Sequence, residues 1–107
     1  MADDPELAER VRALLRAVPD VVERRMFGSL GFLVGGVLRV GVGRHADHVM
    51  LARVPRSAEA AALVEPGVGR AIMRGRPVRG WLFLQDEAVA SDDALARRVR
   101  LALDAEA

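Results

Sequence analysis

The chain is 107 residues long, with 16 basic and 15 acidic side chains and a formal net charge of +1. That length suits one domain with a core of its own. A hydrophobic content of 51% at near-zero net charge excludes an intrinsically disordered chain. The longest apolar run, residues 30–38, falls far short of the ~20 residues a spanning helix needs, and it contains three glycines. The N-terminus is acidic and lacks the apolar stretch of a secretory signal. The expectation is a single cytoplasmic domain over 1–107, with no membrane segment.

Asp4, Pro5 and Glu6 read as a helix start: a capping carboxylate, a proline at the first helical position, and acid at the positive end of the dipole. Leu7, Val11, Leu14, Leu15 and Val18 then recur on one helical face, and Pro19 stops the helix. The first helix is therefore placed at about 5–17. Strands follow at 21–27, 31–34, 37–42 and 48–54, with Gly35-Gly36 as a two-residue hairpin turn and 43–47 as a loop. Ser57 is read as the cap of a short alanine-rich helix that Pro66-Gly67 ends. Strands at 70–74 and 79–84 are joined through residues 75–77. Ser91-Asp92-Asp93 opens a last helix whose buried stripe is Leu95, Val99, Ala102 and Leu103.

The order α-β-β-β-β-α-β-β-α implies an α+β fold of two layers. Consecutive hairpins predict a mostly antiparallel sheet with the long terminal helices on one face. Leu14, Val18, Phe32, Leu51, Leu82, Leu95 and Val99 are expected to be buried. Gly28 stands where one strand must turn directly into the next, so a positive φ is expected there.

The absent residue types narrow the chemistry. The chain has no Cys, Lys, Tyr, Thr or Asn. That removes disulfides, a thiolate nucleophile, a Cys-ligated zinc, a Walker A lysine and a Schiff base. The hydroxyl nucleophiles reduce to Ser29, Ser57 and Ser91. Ser29, in Gly28-Ser29-Leu30-Gly31, does not complete G-x-S-x-G, and it reads as part of a glycine-bent strand connection. The two histidines, His45 and His48, flank Asp47 in what reads as an exposed turn. No further His or Cys exists to complete a metal shell, so no metal and no cofactor is expected. Neither GVG segment completes a dinucleotide fingerprint. Glu23, Asp86 and Glu87 read as solvated strand ends. No acid–base–nucleophile set assembles, and the expectation is a protein that is not an enzyme.

Arg24-Arg25-Met26-Phe27-Gly28, Gly31-Phe32, the Gly35-Gly36 turn, the strand at 51–54, the segment 73–83 and the helix opening at Asp92-Asp93 together resemble the TfoX N-terminal domain family, the domain of the TfoX/Sxy competence regulators. The resemblance covers roughly residues 7–106. It implies a two-layer α+β fold with an antiparallel sheet, and a stand-alone single-domain member. The regulators themselves carry a second, C-terminal domain, which is not expected within 107 residues.

Charge is unevenly distributed. Residues 24–85 hold ten Arg and three acids, net +7, whereas 1–23 and 86–107 each hold three Arg and six acids, net −3. A basic sheet region suits an acidic partner or a phosphate backbone. Arg25, Met26, Phe27, Arg74, Arg76, Arg79 and Trp81 are the candidate partner-binding residues, since Trp, Phe, Met and Arg are enriched at contact centres. Gly28, Gly31, Gly36 and Pro77 are read as structural. The expected function is a non-catalytic regulatory or protein-interaction module with an unidentified protein partner and a homodimer in solution. The alternative is a weak nucleic-acid-binding domain using the Arg-rich sheet region.

Overall fold

Asp4 accepts a hydrogen bond from the Leu7 N–H at 3.1 Å and starts α1 (Pro5–Leu14). The computed structural model describes residues 3–26 and 28–107. Phe27, one of the candidate partner-binding residues, lies outside the described residues. After α1 come β1 (Val21–Met26), β2 (Ser29–Val34), β3 (Val37–Val42), β4 (Met50–Arg53), α2 (Arg56–Leu63), β5 (Val68–Met73) and β6 (Arg76–Leu84). A 3₁₀ turn (Asp86–Ala88) leads into α3 (Asp92–Asp104), which Ser91 caps by accepting the Ala94 N–H. The order is the α-β-β-β-β-α-β-β-α read from the sequence. Among the described residues, no helix is long and apolar enough to cross a membrane.

The six strands form one antiparallel sheet in the order β1-β2-β3-β4-β6-β5. Residues directly opposite one another share a face of a sheet, so the register sorts the side chains. Phe32, Val40, Ala52 and Leu82 form one row, and Leu30, Val42, Met50 and Leu84 form the next. Against these rows pack Leu7, Ala8, Val11 and Leu15 of the first helical segment and Leu95, Val99 and Ala102 of α3. The other face carries Gly31, Gly41, Leu51 and Phe83 in one row. Leu51 is still buried there, because Gly41 gives it room: its Cβ lies 3.7 Å from where a Gly41 Cβ would stand.

Several expectations need correction. The first helix ends at Leu14 rather than near 17, and tighter i→i+3 bonds follow, from Arg16 N–H to Ala13 O and from Val18 N–H to Leu15 O. The buried stripe is centred on Leu7, Ala8, Val11 and Leu15. Leu14 therefore falls on its flank and is 40% exposed, while Val18 is only half-buried. Ser57 caps nothing: α2 begins at Arg56, two residues before the expected start, behind Pro55, whose carbonyl accepts the Ala58 N–H. β6 starts at Arg76, three residues before the expected strand. Pro77 sits inside β6, which is tolerated because β4 pairs with β6 only from Trp81 onward. That leaves one side of β6 free of a neighbouring strand at the proline.

Left-handed backbone marks the tight turns. Gly35 and Gly36 have φ of 57° and 82°, as a primed hairpin turn requires. Gly28, between β1 and β2, has φ of 71°. Arg74 and Gly75 repeat the double-positive pattern at 54° and 75° between β5 and β6, with an arginine in the strained first position. Gly31 is confined for a different reason. A Cβ there would stand 2.9 Å from Leu38 Cδ1 and 3.1 Å from the Arg24 carbonyl oxygen.

Leu95 is 1% exposed at the centre of this core. Replacing it with Ala is expected to cost about 2–5 kcal/mol, measured by urea unfolding. A cost under about 1 kcal/mol would mean that α3 is not seated as described.

Candidate functional site

The sequence candidates fall at two diagonal corners of the sheet. Arg25 and Met26 end β1, at one edge. Arg74, Arg76 and Arg79 lie on or beside the β5–β6 hairpin, at the other edge and at the opposite end of the strands. The structure therefore does not join them into one surface. Arg25 donates to Asp3 at 2.8 Å, which engages its charge. Trp81 lies further along β6, under the Arg53 guanidinium, whose carbon is 4.4 Å from the ring centroid. Arg53 also donates to the Leu38 carbonyl at 2.6 Å. Burial, with Arg39 nearby, lowers the Arg53 pKa from its ordinary value.

The β5–β6 hairpin extends past the end of β4 as a short arm. Ile72 pairs with Pro77 and Met73 with Arg76 beyond the last β4 contact. Between the arm and the body, the register shifts and Gly80 takes φ of 83°. Glu59 of α2 holds this irregular base. Its Oε2 accepts the Gly80 N–H at 2.8 Å and an Arg70 guanidinium N–H at 3.3 Å, and the side chain is buried. On the arm itself, Arg74, Arg76 and Arg79 are exposed and make no ion pair among the described residues. Ile72, 53% exposed, is on the same hairpin, sharing a face with Pro77, whereas Arg76 shares the other face with Met73.

Most other arginines are engaged. Arg10 pairs with Asp92, Arg12 with Glu9 and Glu23, Arg44 with Asp4 and Asp86, and Arg97 and Arg98 with Glu65. Glu23 and Asp86, read from sequence as solvated strand ends, are thus ion-paired. Their arginines hold both carboxyls below the usual range. Glu87 remains exposed, as expected.

A second cluster departs from its sequence reading. The turn at 45–48 is not fully exposed, because His45 and His48 stack with centroids 4.5 Å apart and His48 stacks on Phe83 at 3.6 Å. His48 Nδ1 lies 2.7 Å from Asp47 Oδ1, and His45 Nε2 lies 3.1 Å from Ser29 Oγ. The loop borders an open pocket of about 430 Å³, lined also by Arg44, Gln85, Asp86 and Glu87. Ser29 is buried, and it is not among the residues lining that pocket. The carboxylate that would orient a base bonds to the other imidazole. This geometry satisfies a buried hydroxyl and props the loop on Phe83. Among the described residues, no three His, Cys, Asp or Glu side chains are placed to hold a metal ion.

The family model for the TfoX N-terminal domain matches residues 13–106. The chain belongs to the TfoX N-terminal domain family. No curated protein and no solved structure matches the chain. The match starts inside α1 and runs through α3. Both the β1–β2 corner and the arm are therefore parts of the TfoX N-terminal domain itself. Glu59, Ile72 and Arg53 belong to its candidate contact region, and the sequence reading passed over all three. Glu59 lies in an alanine-rich helix, and only the tertiary fold brings it to the arm.

Burial lowers the His48 pKa from its ordinary value, against the raising effect of Asp47. A depressed pKa means that the unfolded chain takes up the proton more readily. The His48 contribution is therefore present above about pH 6.5 and lost as pH falls. Folding stability is expected to decline from about pH 7 to pH 5, and His48→Phe should flatten that slope in urea titrations. An equal slope in the variant would remove His48 as its source.

Proposed function

We propose that this domain is a non-catalytic regulatory module that binds a protein partner in the cytoplasm through the β5–β6 arm. One observation carries the reading: the short arm gathers three exposed arginines, Arg74, Arg76 and Arg79, without carboxylates among the described residues, and the same hairpin carries exposed Ile72. Cations and an exposed aliphatic side chain on one hairpin suit an acidic, partly apolar protein surface, because arginine combines bidentate pairing with apolar contact. Glu59 fixes the base of the arm, so less order has to be imposed on binding. The Ser29–His45 pair supports no competing catalytic reading, since the hydroxyl is buried and its histidine lacks the Asp47 carboxylate.

Nucleic-acid binding is the second reading, and the same three arginines favour it. They are too few for tight binding. Each phosphate engaged adds only about −0.9 to the log–log salt slope, and the acidic terminal segments repel a polyanion.

The test compares the chain with its Arg74→Ala/Arg76→Ala/Arg79→Ala variant in affinity capture from nuclease-treated host lysate. The expected result is a protein species retained by the parent chain and lost by the variant. Retention unchanged in the variant would contradict the proposed surface. Sub-micromolar, salt-resistant binding to a defined DNA site would put the nucleic-acid reading first.

A further inference from the structure

The two edges of the sheet differ. β1 is guarded: Glu23, Arg24 and Arg25 stand in its middle and end, with Glu23 bonded to Arg12 of α1 and Arg25 bonded to Asp3. Charged edge residues of this kind discourage pairing with another chain. β5 is unguarded. Its six residues are Val68, Gly69, Arg70, Ala71, Ile72 and Met73, and the one charge, Arg70, is turned to Glu59. Gln85 donates its backbone N–H to the Gly67 carbonyl at 2.8 Å. By the alternation of an antiparallel ladder, the backbone groups of Arg70 point away from β6, toward the open edge. A Cβ on Gly69 would meet nothing within 4 Å. Two exposed aliphatic side chains border this edge: Ile72 on it, and Val64, 84% exposed, in the turn leading to it.

The charge along this edge is polarised. At its C-terminal end stands Arg74, exposed and without an ion pair among the described residues. At its N-terminal end the Glu87 side chain lies against Gly67, is exposed, and likewise has no ion pair among the described residues. Asp47 lines the groove beside Gly67, Val68 and Gly69. A strand that is acidic at one end and basic at the other is complementary to an antiparallel copy of itself. A two-fold axis near Arg70 and Ala71 sets each Arg74 opposite residues 66–68 of the second copy, where Glu87 lies.

We propose that β5 pairs antiparallel with β5 of a second copy of this chain, extending the sheet through a two-fold interface closed at each end by Arg74 and Glu87. Such an interface is isologous, so one favourable contact is made twice and the assembly stops at two. It covers the one long apolar edge of the fold. It takes up Ile72 and Arg74 of the partner surface and leaves Arg76 and Arg79, on the β6 side of the arm, for another partner. The proposal does not need a second protein; because Arg74 serves this interface, capture by an Arg76→Ala/Arg79→Ala variant keeps the partner reading separate from it.

Sedimentation velocity on the full chain tests it, with Arg74→Asp, Glu87→Arg and the double variant alongside. Asp is chosen at position 74 because it tolerates the left-handed backbone there better than most residues. The parent chain is expected to sediment as a dimer at tens of micromolar, with each single variant weakening association at least about tenfold and the double variant recovering most of that loss. Thermal unfolding of each variant separates lost association from lost fold. A monomeric parent chain would overturn the proposal, as would a dimer that both single variants leave unchanged. A dimer weakened by the single variants but not restored in the double variant would overturn the Arg74–Glu87 pairing.

Discussion

Seating α3 across the middle of the sheet is the constraint on which the rest of this domain depends. Leu95, Val99 and Ala102 supply the apolar contact, but the helix is positioned by arginines at its middle and at its C-terminal end. From its middle, buried Arg98 donates to the Ala88 carbonyl and, with Arg97, to Glu65 in the turn after α2. At its end, Arg39 of β3 donates to the carbonyls of Ala102 and Ala105, and Arg53 of β4 reaches the Glu106 carbonyl. A planar guanidinium with several donors can hold a helix terminus in this way. The geometry has a cost, since Arg39 Nε is buried without a hydrogen-bond partner among the described residues.

Once the arginines of the body are committed to holding helices and loops, the ones left over define the surface available for contact. Glu65, Glu59, Glu23, Asp86, Asp4 and Asp92 each engage an arginine elsewhere in the sequence. Within residues 24–85, Arg25, Arg44 and Arg70 pair with carboxylates, and Arg39 and Arg53 donate to backbone carbonyls. Of the five whose side chains make no ion pair or hydrogen bond among the described residues, Arg24, Arg56, Arg74, Arg76 and Arg79, three stand together on the arm beyond β4, next to an edge strand that carries one compensated charge. The net charge of the central segment is a poor guide to its potential as a partner surface. The distribution of uncompensated charge is a better one.

The sequence was legible wherever a local rule decided the outcome. Asp4 and Ser91 cap the long helices as read, and Gly35-Gly36 makes the turn that its residue types demand. The core positions Phe32, Leu51, Leu82, Leu95 and Val99 are buried as read. The misreadings arose where two elements compete or cooperate. Leu14 fits the helical period but sits on the flank of a stripe whose centre is set by the sheet beneath it. Ser57 is a good capping residue, but the chain enters α2 from Pro55, two residues too early for it. Pro77 marks a strand break locally and is admitted into β6 only because β4 is short. The histidine turn read as exposed because nothing in its sequence shows that Phe83, more than thirty residues away, will stack on it. The ion pairs of Glu23, Glu65 and Asp86 are long-range in the same sense. A carboxylate's partner is chosen by the fold, whereas its residue type is all that the sequence shows.

The division between structural and free arginines is the central claim, and thermal unfolding of single alanine variants tests it most directly. Arg39→Ala and Arg98→Ala remove hydrogen bonds that hold α3, and bonds to charged groups are worth about 1.5–3 kcal/mol each. For a domain of this size, each kcal/mol shifts the midpoint by roughly 4–8 °C. The account predicts a fall of at least about 4 °C for both of these variants and a change within about 2 °C for Arg76→Ala and Arg79→Ala. Equal losses in the two groups, or a larger loss on the arm, would contradict it.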